Sequence, residues 1–266
     1  MLVINYLKTD AIVLRTYEYS ETSYVLSLLT RAQGKLNALA KGGRRPRGVF
    51  GGEIDLLAEG QAVLFLAHQA ASLHLCTEFC CRARRLGLRS SLDRSSAACY
   101  AAELAAAASP EGDSQPQLYD LLAHTLDGLE TGDVAAVIAF FQVHLLRLTG
   151  LLPDLAACTG CGKRIGTQGA LYSFQKAGVI CPGCIRDDKE EQERGRSGEG
   201  TMAMRVSGAT ISLIKLALAG KLALDRTRVP SRLAIEAVGF LGRVISAAFE
   251  HDSLALRPML AAMRRR

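Results

Sequence analysis

Cys158, Cys161, Cys181 and Cys184 form a C-x2-C-x19-C-x2-C pattern, two thiol pairs each at the spacing that lets one tight turn aim two sulfurs at one point. Four thiolates at about 2.3 Å satisfy a tetrahedral zinc ion, and pairs separated by this interval fall in the range of zinc ribbons. Gly160 and Gly162 bracket the first pair and Pro182 and Gly183 lie inside the second, supplying the turn conformations a chelating loop needs. The pattern predicts one structural Zn2+ in a closed shell; two disulfides or a redox C-x-x-C pair are the alternatives. Cys76, Cys80, Cys81 and Cys99 show no ligand spacing and are expected as small core or surface residues.

Residues Met1 to Asp10 carry no basic stretch followed by an apolar run and a cleavage site, so the thiols are expected to stay reduced in the cytoplasm. The longest apolar run, around Ala135 to Phe141, is stopped by Gln142 and His144, short of the ~20 residues that span a bilayer. No membrane partner is expected.

The chain of 266 residues, 49% hydrophobic, can bury a sizeable core, and its formal charge of +6 is unevenly spread. No acid lies between Glu21 and Glu53, where Arg31, Lys35, Lys41, Arg44, Arg45 and Arg47 fall. Segment 187 to 199 holds six acids and three bases of the 26 and 32 in the chain, which leaves 20 acids and 29 bases elsewhere. The folded body is thus expected to attract polyanions, although a merely soluble basic surface has the same composition.

Short β-rich runs occupy residues 10 to 79: Ala11 to Tyr17, Tyr24 to Thr30, Lys35 to Lys41, Ile54 to Leu57, Val63 to Leu66 and Leu73 to Phe79. Several short strands with polar turns predict a small closed barrel, with an SH3-like barrel or an antiparallel sheet as alternatives. Helical periodicity takes over from residue 94, with helices expected over Ser95 to Ser109, around Leu118 to Leu129, from Asp133 to Gly150, over Ser207 to Ala219 and over Ser231 to Glu250. The polar, charged stretch 187–200 reads as a linker, and the chain ends in Arg264-Arg265-Arg266. The expected organisation is α+β and multidomain: a nucleic-acid-binding barrel over 1–80, a mainly α-helical domain in two parts over 81–157 and 201–266, an inserted four-cysteine zinc ribbon over 158–186, and the linker.

Ala11-Ile12-Val13-Leu14, the Ser20-Glu21-Thr22-Ser23 break, Gly34-Lys35-Leu36 through Ala40-Lys41-Gly42, Arg44-Arg45-Pro46-Arg47, and Leu151-Leu152-Pro153-Asp154-Leu155 leading into Cys158-Thr159-Gly160-Cys161-Gly162 together resemble the RecO family of bacterial recombination mediators. The resemblance runs over essentially the whole chain. It implies an N-terminal OB-fold, a helical domain interrupted by a zinc ribbon, binding of single- and double-stranded DNA with strand annealing, and a nucleoid-associated place in the cytoplasm. It also implies partnership with RecR and with the single-stranded DNA-binding protein, whose acidic, apolar-ended C-terminal tail would suit a groove rimmed by arginine or lysine on the helical domain.

The chemistry of the residues agrees with a binder. A single-strand groove needs cations along the phosphates and planar groups for stacking. Arg31, Lys35, Lys41, Arg44, Arg45 and Arg47 are the expected phosphate contacts, with Arg82, Arg84 and Arg85 extending the path or facing RecR. Tyr17, Tyr19, Tyr24 and Phe50 are the available rings, each of which serves equally as barrel core. No G-x-x-x-x-G-K-[ST], G-x-G-x-x-G or H-E-x-x-H motif occurs, and none of the five histidines begins H-x-E, so no catalytic residue is expected. A zinc-ribbon transcription- or translation-associated nucleic-acid binder is the alternative function.

Overall fold

Apolar residues at alternate positions drive the first part of the chain into five strands, β1 (Tyr6–Glu18), β2 (Tyr24–Thr30), β3 (Gly34–Ala40), β4 (Glu59–Phe65) and β5 (His74–Ala83). The protein is seen in a computed structural model that describes residues 6–52, 54–67, 73–184, 203–219, 229–250, 253 and 255–263. The charged stretch 187–200 and Arg264 to Arg266 lie outside the described residues. The chain divides into two compact units, Met1–Val134 with Ser253–Arg266, and Ala135–Asp252. The helices expected over 81–157 are thus distributed between the two.

In the first unit the strands close into a barrel in the order β1-β2-β3-β5-β4, with β3 and β5 paired in parallel and every other pair antiparallel. Tracing direct partners round the ring leads from Tyr6 through Phe65, Leu75, Leu39 and Val25 to Tyr17, eleven positions further along β1. Such a stagger tilts the strands steeply and lets five of them close. Strand β1 serves both neighbours by bending at a bulge between Val13 and Arg15. Ala11, Val13, Leu26, Leu28, Leu36, Ala38, Leu64 and Phe79 fill the interior.

Ile54 to Leu57 is not a strand. Leu57 adopts φ 64°, a left-handed conformation no strand contains, and its N–H donates to the Val13 carbonyl at 2.8 Å, meeting the backbone group that the bulge frees. Gly34 also needs its own conformation: at φ 61° a Cβ there would stand 1.9 Å from the Asp113 carbonyl oxygen.

A 3-10 turn (Leu86–Arg89) leads into α1 (Leu92–Ala108) and α2 (Pro116–Thr131), and α6 (Leu256–Met263) returns to α1. Alanines 97, 98, 101, 102 and 105 are all buried on α1, so neighbouring backbones approach closely. Between barrel and helices lies Arg85, 4% exposed. Its guanidinium donates to Asp127 of α2 at 2.7 Å, to the Leu57 carbonyl at 3.3 Å and to Glu59 of β4. The Tyr119 hydroxyl donates to the other Glu59 oxygen at 2.8 Å.

In the second unit α3 (Val134–Leu148), α4 (Gly208–Leu218) and α5 (Ser231–Ala248) accompany a four-stranded sheet ordered β6-β8-β7-β9. Its strands are Asp154–Cys158, Ala170–Ser173, Gly178–Ile180 and Ala203–Val206 for β6, β7, β8 and β9. Strand β9 carries the cysteine-bearing sheet past residue 186. The Ser207 side chain caps α4 by accepting from the Thr210 N–H at 3.1 Å.

Removing the Arg85 side chain leaves the half-buried Glu59, among the described residues, with only the exposed Arg82, 3.6 Å away, to match its charge. Arg85→Ala is therefore expected to cost roughly 3 kcal/mol in chemical denaturation, the lower end for a broken buried pair. Burial works to raise the Glu59 pKa, but the hydrogen bonds from Arg85 and Tyr119 outweigh it and hold the group below 4.5. The stabilisation is complete above pH 4.5 and is lost as pH falls through the lower folded value. Glu59→Gln should flatten that part of the acid limb.

Candidate metal centre and nucleic-acid interface

Strand β6 ends at Cys158, and the chain turns at once: the Gly162 N–H donates to the Cys158 carbonyl at 2.9 Å with Gly162 at φ 73°. That turn presents Cys158 and Cys161 on one side. Strand β8 ends at Ile180, and one helical turn over 182–184 presents Cys181 and Cys184 on the other. Pairing of β6 with β8 brings the turns together, with the Thr159 N–H bonded to the Val179 carbonyl at 2.9 Å.

The four sulfurs lie within 4.8 Å of one another, and those of Cys161 and Cys181 are 3.7 Å apart. Four sulfurs at 2.3 Å from a common centre stand about 3.8 Å apart, so the cluster has the size of a tetrahedral thiolate shell. Cys158, Cys161, Cys181 and Cys184 form no disulfide, which sets aside the disulfide alternative.

Charge is distributed unequally over the cluster. Burial opposes ionisation of Cys158, yet the N–H groups of Cys181, Cys161 and Gly160 prevail and bring its pKa down to about 6; two of these bonds measure 3.2 and 3.4 Å. Hydrogen bonding to Cys161 and Cys181, with the charge of Cys158 nearby, pushes Cys184 up to about 12. Four crowded thiols do not all ionise unaided, and a divalent cation would supply the missing positive charge. The donor set fits such an ion with no position left open. Among the described residues no other group of cysteine, histidine, aspartate or glutamate has this form. Cys76 is a core thiol, pushed up to about 12 by burial, while Cys80 and Cys99 are exposed.

The basic residues do not form one path. Arg31 sits on the β2–β3 turn and Lys35 at the start of β3, whereas Lys41, Arg44, Arg45 and Arg47 follow its far end, about 20 Å away along seven residues of strand. Lys35 donates to the Ala106 carbonyl at 3.2 Å, near the end of α1. Arg31 pairs with Asp120 at 3.0 Å, and Arg82 pairs with Asp10 at 2.9 Å. Arg85 is withdrawn from the expected phosphate contacts, because it is buried and bound on three sides. The Arg82 to Arg89 run has few acids nearby in sequence, but Asp10, Asp55, Glu59 and Asp127 reach it from elsewhere.

At the far end of β3 the loop 41–52 is fixed at both edges. Arg44 pairs with Glu18 at 3.1 Å, its N–H and guanidinium donate to the Thr22 and Ser20 carbonyls, and it lies 5.8 Å over the Tyr24 ring. Phe50, 2% exposed, plugs into the barrel core and is not a stacking surface. Lys41, Arg45 and Arg47 are exposed and make no ion pair among the described residues. Nearby, Tyr17 and Tyr19 are 51% and 65% exposed. Arg15 belongs with them and sequence reading missed it. It shares the outer face of β1 with Tyr17, whose hydroxyl it reaches at 3.4 Å, and the two-residue alternation was the available signal. Arg84 is also exposed, just beyond β5.

Because the shell of sulfurs is closed, a bound metal acts on folding. Cys161→Ser and Cys184→Ser are each expected to lower bound zinc, read by elemental analysis, and to bring down the melting temperature. Equal zinc content in wild type and both variants would contradict this.

Among the described residues no helix is long and apolar enough to cross a membrane. Family models described as Recombination protein O N terminal and Recombination protein O C terminal match residues 3–79 and 89–255. The DNA repair protein RecO of Rhodopirellula baltica is 36% identical over 177 residues, covering 65% of this chain and 65% of that protein. Its counterpart in Desulfitobacterium hafniense is 33% identical over 215 residues, 80% of this chain and 74% of the other. That of Symbiobacterium thermophilum is 32% identical over 242 residues, 90% and 88% of the two. With both terminal models matched in order and relatives about a third identical over 80% and 90% of its length, the chain belongs to the recombination protein O family.

Proposed function

We propose that this chain is a recombination mediator acting in DNA repair, binding single- and double-stranded DNA through its barrel and annealing complementary strands. The observation that carries the reading is the anchored loop at the end of β3, where Lys41, Arg45 and Arg47 stand without ion pairs among the described residues, near the exposed rings of Tyr17 and Tyr19. Cations along phosphates with sequence-tolerant stacking is what single-strand binding asks for. The strand order and parallel β3–β5 closure support reading the barrel over 1–80 as an OB-fold.

Annealing on such a surface needs no covalent step. Neutralised phosphates release counterions and repel less, and base pairing selects the partner. The protein is therefore assigned no enzymatic activity and no nucleotide cofactor. Cys158, Cys161, Cys181 and Cys184 hold one structural Zn2+ in a ribbon inserted between helical segments. RecR and the single-stranded DNA-binding protein are the protein partners. The acidic, apolar-ended tail of the latter would suit a groove with an arginine or lysine rim on the helical domain.

The triple substitution Lys41→Glu, Arg45→Glu, Arg47→Glu should weaken binding to unrelated DNA sequences and take about 2 from the log–log salt slope on single strands, roughly 0.7 per contact. Zinc content should stay the same. Annealing of complementary strands should proceed without ATP, and truncating the tail of the single-stranded DNA-binding protein should abolish annealing of coated strands while sparing naked ones. An ATP requirement, or equal rates after truncation, would leave a general zinc-ribbon nucleic-acid binder as the better account.

A further inference from the structure

A second set of cations gathers at the other end of β3. Lys8 and Asp10, two residues apart on β1, share its outer face, and Asp10 pairs directly with Gln61 across β4. The β2–β3 turn is bonded onto the same spot: the Arg31 N–H donates to the Asp10 carbonyl at 2.9 Å and the Ala32 N–H to the Thr9 hydroxyl at 3.2 Å. Together they enclose an open recess of about 410 Å³, lined by Lys8, Thr9, Asp10, Arg31, Gln61 and Pro116.

Three acids around the recess are already paired. Asp10 is held by Arg82 at 2.9 Å, Asp120 by Arg31 at 3.0 Å, and Glu59 is committed to Arg85. Lys8 is exposed and makes no ion pair among the described residues, so the recess keeps a surplus cation. An ammonium, a guanidinium and an amide opening on one hollow suit a phosphate, whose oxygens accept from all three, while the Thr9 hydroxyl is committed to the Asp10 carbonyl at 3.2 Å. No aromatic ring lines the recess, so a base or nucleoside finds nothing there to stack on.

We propose that this recess is a second phosphate-contact site, which grips the backbone of a nucleic-acid segment other than the one held at Lys41, Arg45 and Arg47. The proposal rests on the DNA-binding reading above and extends it. A barrel with phosphate contacts about 20 Å apart at the two ends of one strand engages two segments at once, as annealing or duplex binding requires.

Acetylation footprinting of the full chain, read by mass spectrometry at Lys8, tests this. Duplex DNA should slow Lys8 labelling several-fold, whereas inorganic phosphate at the same phosphate concentration should leave it unchanged. Lys8→Glu should take about 0.9 from the salt slope on duplex and slow annealing, with Lys8→Arg restoring both. Its affinity for a single strand of about ten nucleotides, within the span of one OB barrel, should stay at the wild-type value. Unslowed Lys8 labelling in protein that binds DNA would overturn this site alone, while wild-type protein that binds no DNA would overturn the proposed function itself. Equal protection by inorganic phosphate would make the recess a pocket for a free anion and end its assignment to nucleic acid.

Discussion

A guanidinium out of reach of water has to be matched on all sides, and Arg85 meets that demand by drawing three parts of the first unit together. Glu59 comes from β4, Asp127 from α2 and the Leu57 carbonyl from the loop that fills the β1 bulge. Tyr119 then satisfies the Glu59 oxygen that remains. Hydrophobic burial alone would let α2 slide over the barrel at little cost, because apolar contact has no direction. A charge with fixed donor geometry does not slide, since any displacement strands an ion in a poorly solvating medium.

The same junction shows why runs of charge in a sequence are a poor guide to a binding surface. Arg82, Arg84 and Arg85 are near neighbours in the chain, yet the first leans on Asp10, the second is exposed and the third is internal. Arg31 and Lys41 stand in one acid-free stretch but at opposite ends of a strand. Folding regroups them: Arg31 joins Arg82 around Asp10, a residue outside both runs, while Lys41 joins Arg45 and Arg47. What attracts a polyanion is the charge left after internal pairing, and pairing is a property of the fold.

Legibility followed the range of the interactions involved. Strand β2 was readable to its ends because Leu26 and Leu28 face the interior and Thr30 precedes a turn. The N-terminal half of β1 was not, since Lys8 and Asp10 there are polar on the outer face and the pairing with β4 runs through backbone groups. Ile54 to Leu57 looked like a strand for the opposite reason: Ile54 and Leu57 pack at the barrel rim while Leu56 is exposed, and the backbone there is needed to cap a bulge. Phe50 was ambiguous between core and stacking surface, and only its place in the barrel decides it. The cysteine cluster was legible in full, because two local turns and one strand pairing suffice to build it.

Preorganisation is the last link between this fold and an electrostatic function. Long cationic side chains on an unanchored loop lose conformational freedom of loop and side chain alike when a strand docks, and that loss is subtracted from the affinity. Here the loop is held before any ligand arrives, through Arg44 on the β1–β2 turn at one edge and Phe50 in the barrel core at the other. Arg44 gives up part of its charge to Glu18 in doing so, and its role is to position its neighbours. Lys41, Arg45 and Arg47 then lose only side-chain freedom on binding. Such preorganisation would favour the proposed contact with phosphates of any sequence, because ordering of the loop would not be subtracted from it.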